Sequence, residues 1–170
     1  MIMKELKVRK IVISKQAEES ENYEKFKEIV KEKKIKVVFV EASSVRPQQI
    51  NIEKNIYFDI LWPDNSNLIS ENALNNNSIV CKLHYKNFSM LFTGDIEEIA
   101  ERKILQEYKN NLQVLKSTVL KVGHHGSNTS SIQEFIEIVQ PKIALIGVGK
   151  NNKFGHPNAS VIERLENLRY

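Results

Sequence analysis

Glycine is absent from the first 93 residues of this 170-residue chain, and histidine is absent before His84. All six glycines and three of the four histidines (His124, His125 and His156) fall between Gly94 and His156. Tight backbone approaches and imidazole chemistry are therefore expected in the second half, with the first half serving as scaffold. Cysteine is equally scarce. Cys81 stands alone in an alternating apolar stretch, which excludes a disulfide framework and a cysteine-rich zinc site and reads as a buried structural thiol. No apolar run approaches the ~20 residues that cross a bilayer. Met1 to Lys10 mixes charges with apolar residues instead of building a signal-peptide core. The chain carries no membrane segment by this reading, and is expected to be soluble as encoded and cytoplasmic by default.

Charge of one sign is not in large excess. The 25 Lys and Arg against 21 Asp and Glu leave a net charge of +4, compatible with a nucleic-acid partner but selecting none. A composition of 41% hydrophobic and 27% charged residues is that of an ordinary globular chain. With four prolines, no repeat and no linker rich enough to divide it, residues 1–170 read as one domain.

Val8 to Ser14 (VRKIVIS) is a β-rich run, and Ser20 to Lys34 places Tyr23, Phe26, Ile29 and Val30 at helical spacing, with Ser20 as N-cap. Lys36 to Val40 (KVVFV) then reads as a second strand, completing a βαβ unit. Arg46 to Lys54 is polar with Pro47, and Tyr57 to Trp62 reads as a strand stopped by Pro63. Asp64 to Asn77, with six asparagines, reads as an exposed loop. Ser78 to Tyr85 and Phe88 to Thr93 form a hairpin turning at Lys86-Asn87. A helix over Ile96 to Tyr108, with acidic residues in its first turn that suit the helix dipole, a strand over Thr118 to Val122, an amphipathic segment from Ser130 to Val139, a strand over Lys142 to Val148 and a closing helix through Leu168 complete the α/β pattern.

Three polar clusters occupy the C-terminal ends of predicted strands: Thr93-Gly94-Asp95, Gly123-His124-His125-Gly126-Ser127, and Gly149 through Gly155-His156-Pro157. Strand ends of one α/β sheet converge on an edge where ligands bind, so the three share one pocket in this reading. One carboxylate with two or three imidazoles suits Zn²⁺, Mn²⁺ or Fe²⁺. Such ions bring the pKa of bound water toward neutrality, and hydrolysis follows naturally. Structural alternatives stand beside each cluster: a TGD turn also fits a helix-capping aspartate, and an isolated GHP also fits a plain turn. Adjacent histidines bracketed by glycines have less to gain from packing, whereas His84, inside an alternating strand, reads as a structural histidine.

At these clusters the sequence resembles the metallo-β-lactamase-like domain of ComEC-type DNA-uptake (competence) proteins and their soluble relatives. The resemblance rests on Asn77 to Val80 leading into Leu91-Phe92-Thr93-Gly94-Asp95, on Leu120-Lys121-Val122-Gly123-His124-His125-Gly126-Ser127, and on Val148 through Gly155-His156-Pro157. It implies an αββα sandwich with a pair of divalent metals, two Zn or Mn, at one edge. It further implies that Asp95 bridges the metals and that one of His124 and His125 is a ligand while the other faces substrate or handles a proton. By the same resemblance His156 lines the site, Asn77 and Ser78 support it, and Ser127, Asn151 and Asn152 contact a phosphate.

The family's main ligand motif, H-x-H-x-D-H or H-P-D-x-D-H, precedes a segment like Val8 to Ser14, and this chain has no histidine there. The resemblance thus covers the C-terminal two-thirds of the domain, a partial sandwich lacking the N-terminal strands, in which the metals are retained only if the missing ligands are supplied. A companion polypeptide or a homodimer is the expected source of the missing layer. Two functions follow: phosphodiester hydrolysis on single- or double-stranded DNA when the site is complete, or a non-catalytic module that binds a partner or DNA. Another phosphoester is the remaining substrate alternative, and membrane-bound relatives accompany the soluble ones.

Overall fold

A computed structural model describes residues 2–15, 20–43, 45, 47–64 and 66–168. After a short helix α1 (Ile2–Glu5), strand β1 (Lys10–Ile13), helix α2 (Glu21–Glu32) and strand β2 (Lys36–Phe39) form the βαβ unit read from the sequence. β1 and β2 pair in parallel, Lys10 against Lys36 through Ile13 against Phe39. Ser20 caps α2 as expected, its hydroxyl accepting the Tyr23 N–H at 3.2 Å, and Ile29 is buried against Met3 and Ile35.

The larger sheet has six strands: β3 (Gln48–Glu53), β4 (Ile56–Trp62), β5 (Val80–Tyr85), β6 (Phe88–Phe92), β7 (Val119–Lys121) and β8 (Ile143–Leu145), in that spatial order. β3 to β6 run antiparallel, whereas β6, β7 and β8 are parallel. β3 corrects the reading of its segment as merely polar. Its residues are mostly exposed, as an edge strand permits, so the apolar alternation that marks a half-buried strand is muted. Arg46 of that segment and Asn65 of the asparagine-rich loop lie outside the described residues. That loop also holds a short helix, α3 (Ala73–Asn76).

Helices α4 (Glu98–Glu107), α5 (Gln133–Val139) and α6 (Ala159–Glu166) complete the chain. They share the main core with the sheet: Ala100, Ile104 and Leu105 of α4, Phe135, Ile136 and Val139 of α5 and Val161 of α6 meet Leu61, Trp62, Val80, Leu91 and Leu120. Each large side chain buried there contributes about 1.5–3 kcal/mol. A register shift between Ile60 and Trp62 turns the consecutive Leu61 and Trp62 into the same core, as a β-bulge allows. Their polar neighbours are matched: Trp62 Nε1 donates to the Asn76 carbonyl at 2.7 Å, and Tyr108 Oη donates to the Leu61 carbonyl at 3.2 Å.

Ile60 packs instead with Val40 and Ala42, joined by Val12, Ile50 and Cys81, so the βαβ unit sits on the other face of the sheet near β4 and β5. Cys81 is half-buried, and burial pushes its thiol up to about 11, as an inert structural thiol requires. His84 is likewise built into the sheet, stacked 4.6 Å from the Tyr57 ring and 2.9 Å from Asp59 Oδ2. Burial lowers its pKa despite that carboxylate. Among the described residues, no helix is long and apolar enough to cross a membrane. The architecture is a mixed α/β fold in which the parallel strands β6, β7 and β8 end side by side.

Candidate functional site

The loops after β6, β7 and β8 carry the three clusters, and the parallel direction of these strands brings all three to one edge. The first loop turns at Gly94, whose φ is +59°. A Cβ there would lie 2.6 Å from Cβ of Ser78, a separation no side chain tolerates. Ser78 itself supports the turn, its hydroxyl accepting the Asp95 N–H at 3.3 Å. The second loop is stitched to the first: Thr93 Oγ1 donates to the Lys121 carbonyl at 2.7 Å, and the Gly94 carbonyl accepts from Lys121 Nζ at 3.0 Å and from the His124 N–H at 3.2 Å. Gly126, at φ +80°, joins the second loop to the third, because a Cβ would stand 2.7 Å from Cβ of Pro157. The Asn158 N–H donates to the Gly126 carbonyl at 2.8 Å.

His124 and His125 do not lie on the strand. They form a turn just beyond it, both left-handed at φ 43° and 57°. Two consecutive non-glycine residues in that region store backbone strain, a feature that clusters at functional sites. The turn sends the two rings to different carboxylates. His125 Nε2 lies 3.6 Å from Asp95 Oδ1, while His124 Nδ1 lies 3.4 Å from Glu97 Oε1. Lys121 Nζ approaches Asp95 Oδ1 at 3.7 Å, and the His156 ring sits 5.8 Å from the His124 ring. Asp95, His124, His125 and His156 are thus neighbours.

His125 Nδ1 is 2.6 Å from the Gly147 carbonyl. A carbonyl only accepts, so Nδ1 carries the proton, and in the neutral ring Nε2 presents its lone pair on the Asp95 side. A backbone carbonyl behind one nitrogen is the arrangement that orients a metal-ligating imidazole. His124 Nδ1 is buried and has no hydrogen-bond partner, so a donor or acceptor position stands open beside Glu97.

Glu97 escaped the sequence reading, where it was only one acid of a helix's first turn. It occupies the N-cap position of α4 but does not cap the helix, which also removes the capping explanation for Asp95. Its carboxylate instead accepts from Asn72 Nδ2 at 2.8 Å and Thr129 Oγ1 at 3.1 Å, and its own N–H donates to Asn76 Oδ1 at 3.0 Å. Glu101, one turn on, is buried and accepts from the Ser131 and Ile132 N–H groups at 2.7 and 2.8 Å and from Ser130 Oγ at 3.3 Å. Burial raises its pKa to about 7 against the opposing pull of those donors. It anchors the segment that follows the histidine turn.

The residues expected to meet a phosphate are differently placed. Ser127 is buried, its hydroxyl paired with Thr129 Oγ1 at 3.0 Å. Asn152 is engaged within its own loop, its Oδ1 accepting the Phe154 and His156 N–H groups and its Nδ2 donating to the Gly149 and His156 carbonyls. Asn151 is exposed. Asn77 is buried and brackets the Ile69 backbone, supporting the strand that Ser78 leads into.

As a metal site, the edge has the right donor chemistry but not the ligand count. Among the described residues, no three His, Cys, Asp or Glu side chains are disposed to hold one ion. What the edge offers is two carboxylate–imidazole pairs, Asp95 with His125 and Glu97 with His124, against the three or four protein ligands of a zinc site.

Fold and edge together define a mixed α/β chain with an acid–histidine cluster at the ends of parallel strands. No family model matches the chain. It is 34% identical over 166 residues to ComE operon protein 3 of Bacillus subtilis, covering 98% of this chain and 20% of that protein. It is 34% identical over 108 residues to competence protein ComA of Neisseria gonorrhoeae (64% of this chain, 15% of that one). With recombination protein 2 of Haemophilus influenzae the identity is 36% over 116 residues (68% and 14%). The chain spans a fifth or less of the length of these relatives, whose names indicate a competence-protein family.

Proposed function

We propose that this chain forms the downstream half of a metal-dependent phosphodiesterase site in a metallo-β-lactamase-like domain serving DNA uptake. The observation that carries the proposal is the convergence of Asp95 and the left-handed His124-His125 turn, with His125 oriented from behind by the Gly147 carbonyl. Asp95 and one of the two histidines would hold divalent metal, and Glu97 lies beside His124. A bound Zn²⁺ or Mn²⁺ supplies Lewis acidity at a phosphoryl group and a water acidified toward neutrality. The chain's own residues hold the geometry: Ser78 and Lys121 fix the loop that carries Asp95, Gly126 and Pro157 clamp the histidine turn, and Asn152 shapes the loop presenting His156. The remaining ligands come from additional polypeptide, of which the relatives possess four-fifths or more beyond the matched length.

Metal titration tests this. Zn²⁺ is expected to bind the chain weakly, and about tenfold more weakly still after Asp95→Ala or His125→Ala. Binding that ignores both substitutions would contradict the reading.

A second reading, a module that binds DNA or a protein partner without turnover, is favoured by the missing third ligand. Cleavage of DNA by the chain in millimolar Mn²⁺, which offsets an incomplete ligand set by mass action, would exclude it.

A further inference from the structure

The cavity beside His125 is about 440 Å³ and is lined by Gly147, Gly149, Asn152, Phe154 and His156 as well as His125. Phe154 is 81% exposed, an unfavourable place for a phenyl ring unless something covers it. The ring has an aromatic neighbour. It stacks on His156 with centroids 5.9 Å apart and planes 19° apart, and the backbone N–H of Phe154 donates to Asn152 Oδ1 at 3.2 Å. His156 touches only part of the ring, and the bulk of the ring stands in solvent. Gly147 and Gly149 line the same cavity, and a Cβ at either would meet nothing within 4 Å. Open space thus lies in front of bare backbone, next to an exposed aromatic. Lys150 and Lys153, both exposed, precede the aromatic on the same loop.

We infer that this cavity receives one unpaired nucleobase stacked on Phe154, which makes single-stranded nucleic acid the substrate class of the neighbouring site. This rests on the phosphodiesterase reading above for the chemistry next door. Stacking on a single exposed aromatic is how sequence-tolerant single-strand binding works, and the two lysines supply the charge that a phosphate backbone requires. A paired base is already stacked on its neighbours and would have to leave the duplex to enter.

The test is fluorescence anisotropy of a labelled single strand, run in EDTA so that binding is read apart from cleavage. Phe154→Ala is expected to weaken binding about 5- to 150-fold, Phe154→Trp to retain it, and duplex DNA to respond to neither change. A strand with abasic positions should bind the unaltered chain as weakly as an intact strand binds Phe154→Ala. The exposure of Phe154 keeps the fold out of the comparison, and unchanged circular dichroism checks that. Equal binding by Phe154→Ala and the unaltered chain, an equal loss with duplex, or no binding of single strands at all overturns the inference. If the binding pattern holds but no strand is cleaved in Mn²⁺ once the remaining ligands are supplied, the phosphodiesterase reading fails and the stacking site stands.

Discussion

Removing the Glu101 carboxylate tests how the segment behind the histidine turn is held. The side chain is 1% exposed and accepts from Ser130 Oγ and from the Ser131 and Ile132 N–H groups. In Glu101→Ala these donors lose their acceptor in a buried site. At about 1–3 kcal/mol for each unmatched group, reduced by whatever water enters the space, the cost is about 3–5 kcal/mol. Glu101→Gln keeps the shape but turns one acceptor oxygen into a donor amide facing donors, and should cost about 1–3 kcal/mol.

The unaltered chain and Glu101→Gln should also differ in pH dependence. The folded-state pKa of Glu101, about 7, lies above its ordinary 4.5, so between those values the folded chain binds more protons than the unfolded one. Stability from this group is complete below about pH 4.5 and declines as pH rises to about 7, by roughly 3 kcal/mol. Glu101→Gln lacks that decline, so its deficit should shrink between pH 5 and pH 7. Urea unfolding at the two pH values measures this directly. Equal slopes for both chains, or a Glu101→Ala chain destabilised by less than about 1 kcal/mol, would refute the reasoning.

Three further outcomes follow from the loops. Gly126→Ala combines a left-handed φ with an overlap against Pro157 and should cost about 2–4 kcal/mol, whereas Gly155→Ala, at φ +69° with nothing within 4 Å of its Cβ, should cost only about 1–2 kcal/mol. Equal losses in urea unfolding would remove the clamp between the second and third loops. Nitrogen NMR of neutral His125 should show the proton on Nδ1, held by the Gly147 carbonyl; a proton on Nε2 would contradict the orientation of its lone pair toward Asp95. Lys82→Met removes a buried amine that donates to the Val114 and Lys116 carbonyls at 2.7 and 2.9 Å. It should lower stability by about 1–2 kcal/mol, and an unchanged unfolding midpoint would show those carbonyls to be satisfied otherwise.

Most elements were legible because their periodicity is strong. The βαβ unit, the β5–β6 hairpin and the strand ends bearing Asp95 and His124-His125 all stand where alternation and glycine placement put them. β3 was not legible, since an exposed edge strand has little reason to alternate. Glu97 and Glu101 were hidden by a correct but incomplete idea, that acids in a helix's first turn serve its dipole. Glu101 did carry a signal: it lies three and four residues before Ile104 and Leu105, on the buried face of α4, where a carboxylate requires partners. Glu97 carried none, because its partners Asn72, Asn76 and Thr129 are distant in sequence and meet only in the fold. Ser127 and Asn152 show the converse: short polar residues beside a glycine turn serve the loop itself as readily as a ligand.

The central claim is that the edge holding Asp95 and the histidine turn belongs to a metal-dependent phosphodiesterase. Its most direct test is the rate at which the chain, together with the additional polypeptide that supplies the remaining ligands, cleaves a labelled single strand in millimolar Mn²⁺, compared with Asp95→Ala and with EDTA. The account predicts metal-dependent cleavage that falls by about 100-fold or more in Asp95→Ala. No cleavage, or cleavage indifferent to that substitution, would contradict it.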